Sequence, residues 1–298
     1  MPSRYQIQAA TGIHRGDREY QQDQVLLMVH PYAKDCILGV VADGMGGRSG
    51  GRKASDQVML TARQLFERFE PGKEDCVEML RSIVQDAHTV IRLTAISSEQ
   101  EPHSTIAAFV VLPDNSCHLM HSGDSRLYHF HEQQLEYRSK DHSYVQALVD
   151  RGDLTEMDAH NHPQSNILLG CLGADATPPM IHHFIAKLRP SESIMACSDG
   201  IWHYFTTEEL GTVLASLSPR EASQFLIEKA RHRAAGGRCP GRAPAVRHEC
   251  ADGGRAAVGR SLEGGRACRP GDDRRSRCGR SPSHRAAQRV RPAARHGG

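Results

Sequence analysis

The chain has 298 residues and a formal net charge of +2. The sum hides a division: residues 235–298 carry 15 Arg and no Lys against five acids, a charge of +10, which leaves −8 for residues 1–234. Residues 235–298 have no aromatic residue and only four large aliphatics, Val246, Val258, Leu262 and Val290, too little apolar surface to offset the entropy of ordering them. One uniform globule is therefore excluded, and the expectation is an acidic body followed by a basic, unstructured tail. No apolar run approaches the roughly 18 residues of a spanning helix, and Val25–Val29 is too short for a signal peptide, so the expected location is the cytoplasm. The nine Cys form no C-x-x-C pair, which argues against a zinc ribbon or a disulfide framework.

In chain order, Cys36–Ala42 is a short apolar run that reads as a buried strand feeding the Asp43-Gly44 turn. Two helical patterns follow. One places Ala54, Val58, Ala62, Leu65, Phe66 and Phe69 on one face, and the other Leu80, Ile83, Val84, Ala87, Val90 and Ile91. Pro71-Gly72 separates them. Thr105–Leu112, Cys117–His121 and Arg126–Phe130 read as a meander of strands, with Ser122-Gly123-Asp124-Ser125 between the last two. Residues 139–166 are polar, with one helical patch at Val145, Leu148 and Val149. Ser193–Cys197 is a further strand ending before Asp199-Gly200. Two capping boxes, at Thr206 with Glu209 and at Ser218 with Glu221, start helices at about 207–217 and 219–233. Helix pairs around hairpin-connected strands predict an α+β domain rather than a doubly wound parallel sheet.

Three acids, Asp43, Asp124 and Asp199, follow apolar strands. A strand end delivers a carboxylate rigidly, and several converging on one sheet end suit a hard divalent cation such as Mg²⁺ or Mn²⁺. Taken singly, each is as well read as a turn signal; three together favour the metal.

The segments Asp43-Gly44-Met45-Gly46-Gly47, Gly123-Asp124-Ser125-Arg126-x-Tyr128, Asp141-His142-Ser143 and Cys197-Ser198-Asp199-Gly200-x-Trp202 resemble, in order and spacing, those of the metal-dependent, PPM-type (type 2C) protein serine/threonine phosphatases. Arg18-x-x-Gln21-Gln22-Asp23 is similar to that family's opening motif. The resemblance runs from residue 16 to about 233 and implies a four-layer αββα sandwich of two antiparallel sheets flanked by helix pairs. It implies that Asp43 bridges two Mn²⁺ or Mg²⁺ ions, that the Gly44 carbonyl binds one and Asp199 the other, that Asp23 sits by the second, that Asp124 helps hold a third, weaker ion, and that Arg18 clamps the substrate phosphate. The implied reaction is hydrolysis of phosphoserine and phosphothreonine in proteins by a metal-bridged water, opposing a serine/threonine kinase, in a bacterial cytoplasm and as a monomer. His142, His160 and His162 read as surface histidines of a flap beside the metal centre.

The chain also departs from the pattern. Gln21 and Gln22 replace Asn-Glu. Met45 stands where some members carry a His assigned as general acid, so protonation of the leaving group falls to water or another residue. The family's closing Asp-Asn motif, which supplies a further metal ligand, and its final apolar strand have no match after Gly237. The expected organisation is an incomplete phosphatase domain over 1–237 and an Arg/Gly/Ala/Pro-rich tail over 238–298, the composition that out-of-frame reading of a GC-rich gene produces. The alternatives are a catalytically impaired phosphoprotein-binding remnant and, ranked last because the tail lacks stacking aromatics, nucleic-acid binding through its arginines.

Overall fold

Two of the predicted strands are apolar at every position because both of their faces are covered. The computed structural model describes residues 5–16, 18–96, 101–236 and 255–264. In chain order its elements are β1 (Tyr5–Ile13), β2 (Gln24–Val29), β3 (Ile37–Ala42), β4 (Gly44–Met45), α1 (Gly47–Arg68), α2 (Cys76–Ile96), β5 (His103–Ser104), β6 (Ile106–Val111), β7 (Cys117–Ser122), β8 (Arg126–His131), β9 (Gln134–Arg138), α3 (Tyr144–Asp150), α4 (Glu156–His160), β10 (Ile181–Ile185), β11 (Glu192–Cys197), α5 (Asp199–Trp202), α6 (Thr207–Ser216), α7 (Pro219–Ala235) and β12 (Arg255–Gly264). One antiparallel sheet is ordered β10-β7-β6-β3-β2 and the other β1-β12-β11-β8-β9, with β4 and β5 forming a small separate pair.

Because side chains alternate along a strand, neighbouring residues enter different cores. Val40, Ala108 and Met120 pack with Val58, Phe66, Ile83 and Ala87 of α1 and α2. Their neighbours Val41, Phe109 and Leu119 meet Leu127, Ile194 and Ala196 of the other sheet. On that sheet's far face Tyr128, Phe130 and Met195 pack with Trp202, Leu210 and Leu226 of α5, α6 and α7. Helix pair, sheet, sheet and helices thus follow one another through three apolar clusters, as a four-layer stack requires. Each fully buried large side chain contributes about 1.5–3 kcal/mol relative to exposure.

Both predicted capping boxes form: the Thr206 hydroxyl accepts from the Glu209 amide, the Ser218 hydroxyl from the Glu221 amide, and each glutamate returns a bond to its cap amide. Other boundaries differ from the sequence expectation. Helix α1 starts at Gly47, well before its apolar pattern, because the Gly-rich segment packs backbone against backbone: a Cβ on Gly44 would stand 2.0 Å from the Gly51 oxygen. Strands β1, β2, β9 and β10 were not expected. Ile181-His182-His183-Phe184-Ile185 carries too many histidines to register as an apolar or alternating strand.

The expected loss of the final strand is corrected. β12, from within the presumed tail, pairs with β1 (Tyr5 opposite Gly264) and with β11 (Cys197 opposite Ala256). The physical reason is that a ladder between two strands needs only main-chain N–H and C=O groups, and residues 255–264 contain no proline. These elements belong to one unit. Asp252, Asp272, Asp273 and the rest of the tail expectation lie outside the described residues. Among the described residues, no helix is long and apolar enough to cross a membrane.

Candidate active site

The strand registers bring four acids to one end of both sheets. Gln24 lies opposite Ala42 and Val41 opposite Ala107, so Asp23, just before β2, and Asp43, just after β3, are neighbours. Ile106 lies opposite Ser122, which sets the β7–β8 turn and Asp124 at the same end. Cys197 lies opposite Arg126, which brings Asp199 there from the second sheet.

Asp43 is fixed at its backbone: its N–H donates to Thr105 Oγ1 (3.0 Å), and its carbonyl accepts from the Thr105 amide (2.9 Å). Thr105 Oγ1 in turn shares a hydrogen bond with Ser125 Oγ (2.6 Å), tying the two sheets beside the acid pair. Gly123, at φ 105, presses against Thr105, where any Cβ would meet the Thr105 side chain at 2.6 Å. That positive φ and tight approach require glycine here. The carbonyl of Asp124 accepts from Trp202 Nε1 (2.9 Å), which locks the short helix α5, with Asp199 at its start, to the β7–β8 turn.

Burial pushes the Asp43 carboxyl well above the usual carboxylate range, reinforced by the charges of Asp23, Asp199 and Asp124 and by a carboxyl–carboxyl hydrogen bond to Asp23. Asp124 is pushed up to about 7, by burial first and by Asp141 next, against the opposing pull of Arg126. Like charges this close cannot all ionise without a counter-charge. Arg126 is committed elsewhere: its Nε and Nη2 each donate to Asp141 at 2.8 Å, and its guanidinium lies 3.6 Å from the Trp202 ring centroid. Among the described residues no three His, Cys, Asp or Glu side chains close into a finished ligand set. Asp43, Asp124 and Asp199 line a cavity of about 990 Å³. An all-oxygen donor set of crowded carboxylates fits a hard divalent ion.

Of the residues singled out in the sequence, Arg18, Asp43, Gly44, Asp124 and Asp199 all line this cavity. Asp23 is buried behind Asp43. Arg18 is exposed, and its Nη1 donates to Gln22 Oε1 (3.4 Å). Two of the flap histidines, His142 and His160, are packed rather than free at the surface, whereas His162 makes an exposed bond, its Nδ1 accepting from the Gln164 amide (3.2 Å). His142 Nδ1 accepts from the Gly123 amide (3.0 Å) while its own amide donates to the Gly123 carbonyl, and its ring stacks on His121. Burial first, then His121, push its imidazole down to about 4. His160 stacks on His203. The sequence reading missed the roles of Thr105, Ser125, Arg126 with Asp141, and Trp202. All of these but Thr105 stood inside quoted motifs, but partners 15 and 78 residues apart carry no local signal.

The profile of the family described as Protein phosphatase 2C matches residues 12–232. The serine/threonine protein phosphatase PstP of Mycobacterium tuberculosis is 30% identical over 231 residues, which cover 76% of this chain and 42% of PstP, so the chain spans less than half the length of that relative. The serine/threonine phosphatase stp of Listeria monocytogenes is 28% identical over 180 residues, covering 59% of this chain and 71% of stp. Among solved structures, the PstP catalytic domain in complex with two manganese ions superposes with a TM-score of 0.69 at 26% identity, covering 86% of this chain and 99% of that one.

Proposed function

Because the chain belongs to the protein phosphatase 2C family, we propose that it hydrolyses phosphoserine and phosphothreonine in proteins in a metal-dependent reaction. The observation that carries this reading is the convergence of Asp23, Asp43, Asp124 and Asp199 at one end of both sheets, on a cavity also lined by Arg18. In the proposal Asp43, Asp23, Asp199 and the Gly44 carbonyl hold two Mn²⁺ or Mg²⁺ ions, with Asp124 at a third, weaker position. Bound there, such ions supply Lewis acidity and render water nucleophilic near neutral pH.

The chain's own residues do the rest. Arg18, exposed at the cavity rim, offers a planar fork of donors to the phosphate oxygens and neutralises their charge as the ester is cleaved. Thr105, Ser125 and Trp202 hold the carboxylates still, so little reorganisation is needed at reaction. The substrates would be phosphoproteins made by a serine/threonine kinase. Among the described residues five cysteines are free and buried, which supports placing the protein in a reducing cytoplasm, and we take it to act as a monomer. We propose further that the phosphatase domain ends near residue 237 and that the Arg/Gly/Ala/Pro-rich sequence beyond it is an out-of-frame tail, a reading that its composition supports. Finding no Asp-Asn codons and no apolar strand in the other two frames past codon 237 sinks that idea.

The test of function is hydrolysis of p-nitrophenyl phosphate and of a phosphothreonine peptide with Mn²⁺, and its loss in Asp43→Asn. A chain that binds the phosphopeptide but turns over neither compound at any Mn²⁺ concentration refutes the proposal in favour of a binding remnant.

A further inference from the structure

Away from the acid cluster, histidines gather on one sheet edge. Strand β10, Ile181-His182-His183-Phe184-Ile185, is the edge strand beside β7. Its register sets His182 opposite Met120 and Phe184 opposite His118. Side chains alternate along a strand, so these four residues share one face, the face on which Met120 meets α1 and α2. His182 and Phe184 are exposed there and His118 is half-buried, so the two imidazoles are open to ions from solvent.

The rings present nitrogens to each other. His118 Nδ1 and His182 Nε2 are 3.1 Å apart, and the ring planes differ by 23° with centroids 5.3 Å apart. With one N–H between them the pair is a hydrogen bond, which contributes little at an exposed edge where water competes. The same separation suits a shared ion. With each nitrogen about 2.0–2.1 Å from zinc, 3.1 Å between them gives an N–Zn–N angle of about 100°, near tetrahedral. Neither ring makes another hydrogen bond among the described residues. The proton between them can therefore move to the outer nitrogen of its own ring, freeing both lone pairs.

The surroundings favour the neutral imidazoles that metal binding needs. Burial first, then His182, lowers the His118 pKa, against the pull of Asp75 and Asp114. Burial also lowers that of His182, with Asp75 opposing and Arg81 adding to it. Both acids are already engaged: Asp75 accepts from the Val77 amide (2.8 Å), and Asp114 from the Ser116 amide (2.9 Å) and hydroxyl (2.6 Å). They supply negative potential without completing a ligand set.

We propose that His118 and His182 form a two-imidazole site for a borderline transition cation, Zn²⁺ first, with water in the remaining positions. Imidazole suits Zn²⁺, Ni²⁺ and Cu²⁺, whereas carboxylates suit Mg²⁺ and Mn²⁺, so this site and the acid cluster sort ions by donor type. His118 stands four residues before Ser122, the end of β7 nearest Asp124, about 14 Å along the strand. No ligand is therefore shared with the acids. An ion held here ties the edge strand to which the chain returns after residues 139–180 to the interior strand β7.

The experiment titrates Zn²⁺ calorimetrically into the full chain, carrying no histidine tag and saturated with Mn²⁺, at pH 7. His118→Gln and His182→Gln are compared with the wild type. Expected is one zinc site whose Kd rises at least about tenfold in each variant, since even a lost outer partner costs 10–100-fold. Crystals soaked in Zn²⁺ should show an anomalous peak at the zinc edge between His118 Nδ1 and His182 Nε2. Zinc binding that is unchanged in either variant, as binding by other histidines or cysteines would be, overturns the proposal. So does a soaked crystal with no zinc on this pair.

Discussion

Replacing Arg126 with Ala should be among the most damaging single changes in the domain, although Arg126 is not expected to touch substrate. The guanidinium makes two 2.8 Å bonds to Asp141, with side-chain exposures of only 16% and 7%, and lies 3.6 Å from the Trp202 ring centroid. Removing it strands the Asp141 carboxylate in a buried position beside Asp124, which Asp141 already pushes towards neutrality. Breaking a buried pair from one side costs about 3–5 kcal/mol. At about 2–4 °C per kcal/mol for a domain of this size, melting should fall by roughly 10 °C. The stranded charge is the main cost, so Asp141→Ala in the same chain should return part of it. A double-mutant cycle followed by thermal melting should therefore give a coupling of about 2 kcal/mol or more. A single variant melting within about 2 °C of wild type, or a cycle additive to within about 0.5 kcal/mol, would refute the reasoning.

Three further outcomes are expected. Asp43→Asn removes one member of a crowded carboxylate group, so it should raise the melting temperature in chelator while abolishing the rise that Mn²⁺ gives the wild type; at 100-fold over Kd that rise corresponds to about 2.7 kcal/mol. For His142, the folded imidazole stays neutral down to about pH 4, whereas the unfolded one takes a proton below about 6.5. Its contribution is therefore complete above 6.5 and is lost as pH falls from 6.5 towards 4. His142→Asn, which keeps an acceptor for the Gly123 amide, should flatten stability against pH in that window by on the order of 2 kcal/mol, and an unchanged slope counts against the burial argument. Ending the chain after Gly236 removes β12 and bares the facing main-chain edges of β1 and β11, so light scattering should report association; a stable monomer would mean that β12 adds little.

How far the sequence could be read depended on the range of the interaction that decides each feature. Capping boxes are settled within four residues, and both were legible. The apolar runs of β3, β6, β7 and β11 announce two-sided burial, which made the layered fold legible too. The four acids were legible because each lies at the end of such a run or in a motif beside one. What holds them was not. The Thr105–Ser125 bond and the Arg126–Asp141 pair exist only once β6, β7 and β8 are in register, and Trp202 finds the Asp124 carbonyl across 78 residues. The tail misled for the opposite reason. Its composition says that it has little to bury, and a strand slotted between two others is held by backbone bonds that composition does not count.

The same contrast explains why the site sits where it does. Carboxylates brought this close repel, and the resulting cost must be met by rigid surroundings or the loops would part. Here Asp43, Asp124 and Asp199 stand next to strands whose faces are filled, and the turn between the sheets is closed by neutral hydrogen bonds from Thr105, Ser125, His142 and Trp202. Arg126, a cation buried beside them, is bonded to Asp141 and balanced against it. The negative potential is thus left uncompensated by protein, which is what a cation-binding site requires. The −8 of the body is spread over many exposed residues, but its functional share is these four acids, whose charge the fold concentrates and declines to neutralise.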